Sequence, residues 1–599
     1  MRQTRRPILT LCSGRCPSTG ILPLILGFLG CIGFGTVLRA QTSPAVATAK
    51  ETYENPLTHQ GLSDYDIRSY DLRLHVTNKN TWIEGEAEIR MDALVSLDTV
   101  VLELQDALHV DGAFWSAKED EGPEEAVRGV RHRENALILP LGRQVQAGEG
   151  IRLRIVYAGE AGQGRGFFSG VSRREDSRYG FDVTYSLSQP NNARDWFPAK
   201  QVLSDKIDSV SMRIRCDKNL MAASNGRLVG IDSLNRSDRE FHWKTHYSMA
   251  YYLMFFAVAD YRDLSFRAPL GNGRDSVLVQ NFIYDLDEVE EEQGKDIRAT
   301  ADLIRLFSET LGPYPFEEEK YGHAMAPLGG GMEHQTMTTI ENFDFFLVAH
   351  ELAHQWFGDL VTCSNWQDIW INEGFASYME YVAAMELQGS ESAERWMNQA
   401  MSAAGARRRG SLYVPASAVE NTWRLFDHGL SYKKGAVLLH MIRHWLEDDE
   451  LFFRILRLHL EEHRGAVADG EDFRRILERE SGMDFSDFFT QWYYGEGYPR
   501  FDVRWTQEES MLVLEVAQEG TAPDRTPVFS TCADMELRFT DGTTERKRIW
   551  VNRSVHQLRF PVNGPVVNLV FDPDGWLLHE ATVNEISSGT GEPMPEALE

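Results

Sequence analysis

Cysteine is scarce in the body of this chain, and no disulfide framework is visible. Of the six cysteines, Cys12, Cys16 and Cys31 lie in the N-terminal stretch, which leaves Cys216, Cys363 and Cys532 far apart. A chain of 599 residues does without such staples because it is long enough to fold as several domains, each with its own core. Positive charge is also in short supply. Lys and Arg number 61 against 90 Asp and Glu, for a formal net charge of −29. No basic stripe interrupts this field, so polyphosphate is repelled and nucleic acid is excluded as a partner. The same field mildly favours cationic ligands, including a free amine. Long apolar runs are absent beyond residue 40 and no internal repeat occurs. A composition of 42% hydrophobic and 25% charged residues excludes both the disordered and the multi-span membrane classes.

What is present begins with a leader. Arg2, Arg5, Arg6 and Arg15 precede the apolar run ILPLILGFLGCIGFGTVL (21–38), which closes at Arg39-Ala40-Gln41. This pattern predicts an export signal over 1–40, cleaved after Ala40, and hence a periplasmic or extracellular protein. The run is also long enough for an uncleaved membrane anchor, and a lipidated Cys31 is a third alternative.

After the leader, period-two patterns dominate. Tyr70, Leu72, Leu74 and Val76 alternate in SYDLRLHV, and Gly85, Ala87, Ile89 and Met91 in GEAEIRM. Strands with one buried face are therefore expected through a β-rich N-terminal domain over 41–262. Helical spacing then takes over. Ile297, Leu303, Ile304, Phe307 and Leu311 form one face that stops at Gly312-Pro313, and further helices are expected over 345–361, 371–386, 432–446 and 450–462. These make a mainly helical domain over 263–496, whose Gly-rich segment KYGHAMAPLGGGMEHQTMTTI suggests backbone lying close to something else. Strands return in FDVRW, SMLVLEVAQ, DMELRFT and VVNLVFD, so a β-sandwich is expected over 497–586, with a polar tail over 587–599. The fold class is α+β and multidomain.

Chemistry concentrates in HELAH. His350 and His354 are four residues apart, so both imidazoles leave one helical face and can reach one ion. Glu351 stands beside them, where a carboxylate can take a proton from a metal-activated water. A catalytic zinc keeps three protein ligands and one open position, and Glu373 supplies the third after a turn long enough to bring its helix back alongside. Glu380 returns to the same face seven residues later, either to hold a ligand histidine by its second nitrogen or as a solvated surface glutamate. Cys363 lies between the two zinc helices without a place in the ligand set, and reads as a small buried residue.

HELAH-x18-Glu373 followed by Gly374, with GGGMEHQT upstream and SYKKGAVLLHM downstream, resembles the aminopeptidase N family of zinc exopeptidases, gluzincins of peptidase family M1. LGPYPFEEEKYG, WFGDLVTCSNWQDIWINEGFASYME and the closing WYYGEGYP resemble family segments in the same order. The resemblance implies a saddle-like β domain, a thermolysin-like catalytic domain and a sandwich, without room for the large C-terminal helical domain of many relatives. It implies one Zn2+ per chain on His350, His354 and Glu373, with Glu351 as general base.

By the same resemblance, Gly330, Gly331 and Met332 form a strand that pairs with the substrate backbone, and Glu333 binds its free α-amine. A buried ammonium needs a charged acceptor, which suits Glu333. His334 departs from the family, where asparagine usually stands. Tyr432, in SYKKG, falls at the catalytic tyrosine and would share the oxyanion charge with the metal. Gln189, in SQPNNARDWFP, matches a polar contact to the substrate amine, with Asn191, or neither residue, as the alternatives because the spacing to Arg194 and Pro198 differs from some family members. The implied activity is zinc-dependent removal of N-terminal residues from peptides. A non-catalytic scaffold of the same fold and a zinc endopeptidase are the rival readings.

Overall fold

The computed structural model describes residues 61–117, 123–162, 167–271 and 276–586. The leader expected over 1–40 and the tail expected over 587–599 lie outside the described residues. Among the described residues no helix is long and apolar enough to cross a membrane.

The alternating N-terminal sequence folds as an eight-stranded sheet whose centre pairs Tyr65–His75 with Trp82–Ala93. Register aligns the two apolar sets, Tyr70 with Ile89, Leu72 with Ala87 and Leu74 with Gly85, so one face of both strands is buried together. Gly85 is required there, because a β-carbon would stand 2.3 Å from the Tyr157 ring of the next strand. A four-stranded sheet follows, ordered 221–224, 256–259, 182–187, 170–175. Trp196 fixes the packing by meeting Phe197 and Phe256 edge-on at 4.5 and 5.3 Å.

The strand Tyr261–Asp263 straddles residue 262 and opens a mixed sheet with Ser276–Tyr284, Tyr321–Met325, Thr338–Ile340 and Gly331–Met332. Gly331–Met332 is its free edge, antiparallel to 338–340. Helix α1 (Asp287–Leu311) covers the sheet with the predicted apolar face, and Gly312 ends it at φ +103°. Helix α2 (Phe345–Ala353) starts at Asp344, whose carboxylate accepts from the N–H groups of Phe346 and Leu347. The expectation of helix through Val361 is corrected here. Regular helix stops at Ala353, with His354 as its still-helical cap, because the chain turns at Gly358 (φ +131°) and pairs Thr362–Cys363 with Val467–Ala468.

Helix α3 (Trp370–Ala383) packs on α2, and α4 (Ser390–Gly405) and the short α5 (Thr422–Leu425) follow. The helix expected over 432–446 divides in two. Residues His428–Lys434 form a π-helical turn capped by Asp427, and only Gly435–Leu446 is regular helix, α6. Helix α7 (Asp449–Glu462) and helix α8 (Gly470–Ser481), which packs on it, complete this layer. Helices α3 and α6 touch at Gly374 and Gly435, where a β-carbon on either would lie 2.9 or 2.7 Å from the other's α-carbon.

Two sheets close the described chain, one ordered 555–561, 511–520, 499–508, 580–585 and the other 544–551, 531–539, 566–571. Phe501 and Phe571 meet between them at 5.0 Å. From the turn after Asp572, Trp576 lies flat on His440 and His444 of α6, at 4.2 and 4.9 Å, bracing that helix from outside.

Gly374→Ala is expected to wedge α3 and α6 apart at a cost of about 1–3 kcal/mol, read from urea unfolding. Gly405→Ala, whose β-carbon would meet Leu578 and Tyr498 only at an ordinary 3.9 Å, is the control expected to leave the midpoint in place.

Candidate active site

Helices α2 and α3 run side by side so that His350, His354 and Glu373 converge. His350 Nε2 and His354 Nε2 are 3.1 Å apart, and Glu373 Oε2 lies 3.3 Å from the first and 3.2 Å from the second. Ligand atoms bound tetrahedrally at roughly 2.0–2.1 Å stand about 3.3 Å from one another, so this triangle has the size one ion requires. Among the described residues it is the group of histidine and carboxylate side chains that can hold a metal.

The outward nitrogens settle the tautomers. His350 Nδ1 donates to Glu380 Oε1 at 2.9 Å and His354 Nδ1 to the Phe357 carbonyl at 2.9 Å, which turns both Nε2 atoms toward the common point, where each ligates once it gives up its proton. Of the two roles left open for Glu380, the buried acceptor is observed. Its other oxygen accepts from the Trp396 indole at 2.8 Å, and Lys433 Nζ lies 3.1 and 3.2 Å from the two oxygens. Neither partner was singled out in the sequence. Trp396 carries no local signal, while Lys433 stands in SYKKG beside Tyr432.

Charge in the cluster follows from burial without a cation. Burial disfavours an imidazolium at His350, yet hydrogen bonds to Glu373 and Glu380 overcome it and raise the group to about 9. Burial would likewise raise Glu373 and Glu380, but the facing histidines bring the first to about 2, and Lys433 with His350 brings the second to about 2. Burial lifts the Glu351 carboxyl to about 8, the neighbouring carboxylates adding to it. Protons held on His350, His354 and Glu351 thus stand in for a positive ion, while Glu373 and Glu380 stay ionised.

Glu351 points under the free sheet edge. A β-carbon on Gly331 would sit 2.4 Å from Glu351 Oε1, so only glycine lets that strand approach the carboxylate, as the Gly-rich segment suggested. Glu351 Oε2 is buried without a protein partner. Gly330 borders open space, and Met332 is buried behind the strand. Glu333 follows, also buried, and Gln189 Nε2 donates to its Oε1 at 3.0 Å from the N-terminal β layers. For the alternative Asn191, the contact seen is with Tyr251, whose hydroxyl donates to its Oδ1 at 3.1 Å. Tyr432 stacks on the His350 ring at 5.8 Å, and burial with Glu373, Glu333 and Glu351 holds its phenol protonated.

His334 turns away into the core. It stacks on Phe255 at 4.5 Å, pairs with Thr339 Oγ1 at 2.9 Å, and burial lowers it to about 3, so it is a neutral packing residue. Cys363 is buried, as expected, and its N–H donates to Asn372.

Residues 67–253 match the Peptidase M1 N-terminal domain and residues 327–492 the Peptidase family M1 domain, together more than half of the chain. The chain belongs to peptidase family M1. This M1 chain is similar to Aminopeptidase 2 of Candida albicans, 24% identical over 85% of this chain and 56% of that protein. It also resembles Aminopeptidase N of Lactococcus lactis, 38% identical over 26% of this chain and 19% of that one. Its fold matches the crystal structure of a mutant M1 zinc metallopeptidase from Deinococcus radiodurans bound to a Tyr-Ser-Ala substrate. The TM-score is 0.59 at 24% identity, covering 71% of this chain and 95% of the other. The M1 chain thus spans about half the length or less of the curated relatives it matches.

Metal uptake is expected to release protons, because a ligand histidine must be neutral and His350 stands near 9 without an ion. Raising pH from about 7 toward 9 should therefore tighten binding, up to about tenfold per unit for each proton released. Calorimetric titration in buffers of different ionisation enthalpy measures that release.

Proposed function

We propose that this chain is a zinc-dependent aminopeptidase that removes residues from the N-terminus of peptides, with one Zn2+ held by His350, His354 and Glu373. The observation that carries the reading is Glu333, a buried carboxylate fastened by Gln189 at the end of the free strand Gly331–Met332, beside the three-ligand cluster. A metal cluster alone suits any zinc hydrolase. A second carboxylate at the end of a substrate-pairing edge selects a peptide whose chain begins there, because its α-ammonium needs a charged acceptor.

Bound zinc would supply a Lewis acid that makes water nucleophilic near neutral pH and polarises a carbonyl. The chain's own residues would do the rest. The edge 331–332 pairs with the peptide backbone and sets its register, and Glu333, oriented by Gln189, anchors the amine. Glu351 takes the proton from the attacking water and hands it to the departing amine. Tyr432 donates its hydroxyl proton in a hydrogen bond to the oxygen on which charge develops. Peptides with a free N-terminus are the substrates, and the leader over 1–40 supports export to the periplasm or extracellular space.

A panel of fluorogenic aminoacyl amides, with and without chelator, is the test. Turnover should need metal and vanish on N-acetylated substrates. Glu351→Gln should keep the metal and lose about 10²–10⁴-fold in kcat. Glu333→Ala should discriminate poorly between free and blocked amines; a variant that still cleaves only free amines at the parental rate sinks the assignment.

A further inference from the structure

Glu380 has three side-chain partners and one of them is unlike the rest. The His350 ring, the Trp396 indole and the carboxylate itself belong to α2, α4 and α3, but Lys433 comes from the π-helical turn that carries Tyr432. Its ammonium spans both Glu380 oxygens at 3.1 and 3.2 Å and rests 4.5 Å above the Trp396 ring. Lys433 and Glu380 are both largely shielded from solvent, with 13% and 9% of their side-chain surfaces exposed, so the pair is not a loose surface contact.

The turn is π-helical and capped by Asp427, and Lys433 follows Tyr432 directly on it. Its far side is set by the close approach of Gly435 to Gly374. Its near side ends on the carboxylate that orients His350. We propose that Lys433 is a positioning residue: it ties the Tyr432 turn to the carboxylate behind the metal ligand, so that one ion pair sets both the phenol and the imidazole. Glu380 keeps only the Trp396 and His350 contacts without it. The inference rests on the aminopeptidase reading for Tyr432, whereas its bearing on His350 is independent of turnover.

Lys433→Met keeps the apolar stem on Trp396 and removes the ammonium. With full-length zinc-loaded protein and an alanyl-amide substrate, kcat should fall about tenfold or more while KM stays within about threefold, the mark of an interaction used in the transition state. In a Tyr432→Phe background the same change should alter kcat by less than about threefold, since the effect passes through the phenol. Zinc release to a chelator, which needs no turnover, should be at least about fivefold faster in Lys433→Met. Lys433→Arg, whose guanidinium also spans two oxygens, should recover most of both.

Undiminished kcat, an equal loss in the Tyr432→Phe background, or zinc release that is unchanged or slower would each overturn the proposal. Slower release would mark a merely repulsive charge near the ion. If Lys433→Met does not fold, Lys433→Gln gives the same readouts. A parent without turnover would count against the aminopeptidase reading, and zinc release would still decide the role of Lys433 toward His350.

Discussion

Buried carboxylates packed around two imidazoles cannot all remain ionised unless a positive charge sits among them. That constraint governs this molecule. Glu333, Glu351, Glu373 and Glu380 are all withdrawn from solvent within one cluster, and without an ion the balance is kept by protons and by Lys433. A divalent ion would satisfy the same demand from the centre, where the three ligand atoms already stand at the spacing of one coordination shell. The remainder of the catalytic layer reads as the means of holding mutually repelling groups together.

Each layer contributes one hold. The mixed sheet ends in a bare edge that passes over Glu351, with a glycine where any side chain would collide. The N-terminal β layers reach in through Gln189, so the carboxylate nominated for the amine is steadied by a different part of the chain. The crossing of α3 and α6 at two glycines brings the Tyr432 turn against the ligand helices. Function is therefore a property of the junction between elements far apart in sequence.

How much of this was legible in the sequence depended on distance along the chain. His350, Glu351 and His354 follow from a single helical period, and Glu373 from a spacing that returns one helix to the next. Strand alternation likewise foretold the outer β layers and which faces they bury. What failed was local punctuation. The helix after HELAH was read too long because its apolar residues continue, whereas Gly358 and the pairing of Thr362–Cys363 end it. The turn around Tyr432 read as ordinary helix because a π turn keeps the same composition. Glu380 stayed undecided because its partners Trp396 and Lys433 lie 16 and 53 residues away, beyond any periodicity. Gln189 and Asn191 have equivalent chemistry, and what distinguishes them is a tertiary contact, Gln189 with Glu333 and Asn191 with Tyr251.

The stacking of Trp576 on His440 and His444 has a consequence for the order in which the molecule is completed. Trp576 follows the two histidines it covers, and all three ligand residues, by more than a hundred residues. Contacts so remote in sequence form late, because the intervening loop must close before they repay its entropy. A nascent chain therefore has every metal ligand before it has the cover on the helix that follows Tyr432, and that helix is braced only when the sheets beyond residue 497 have folded back onto it.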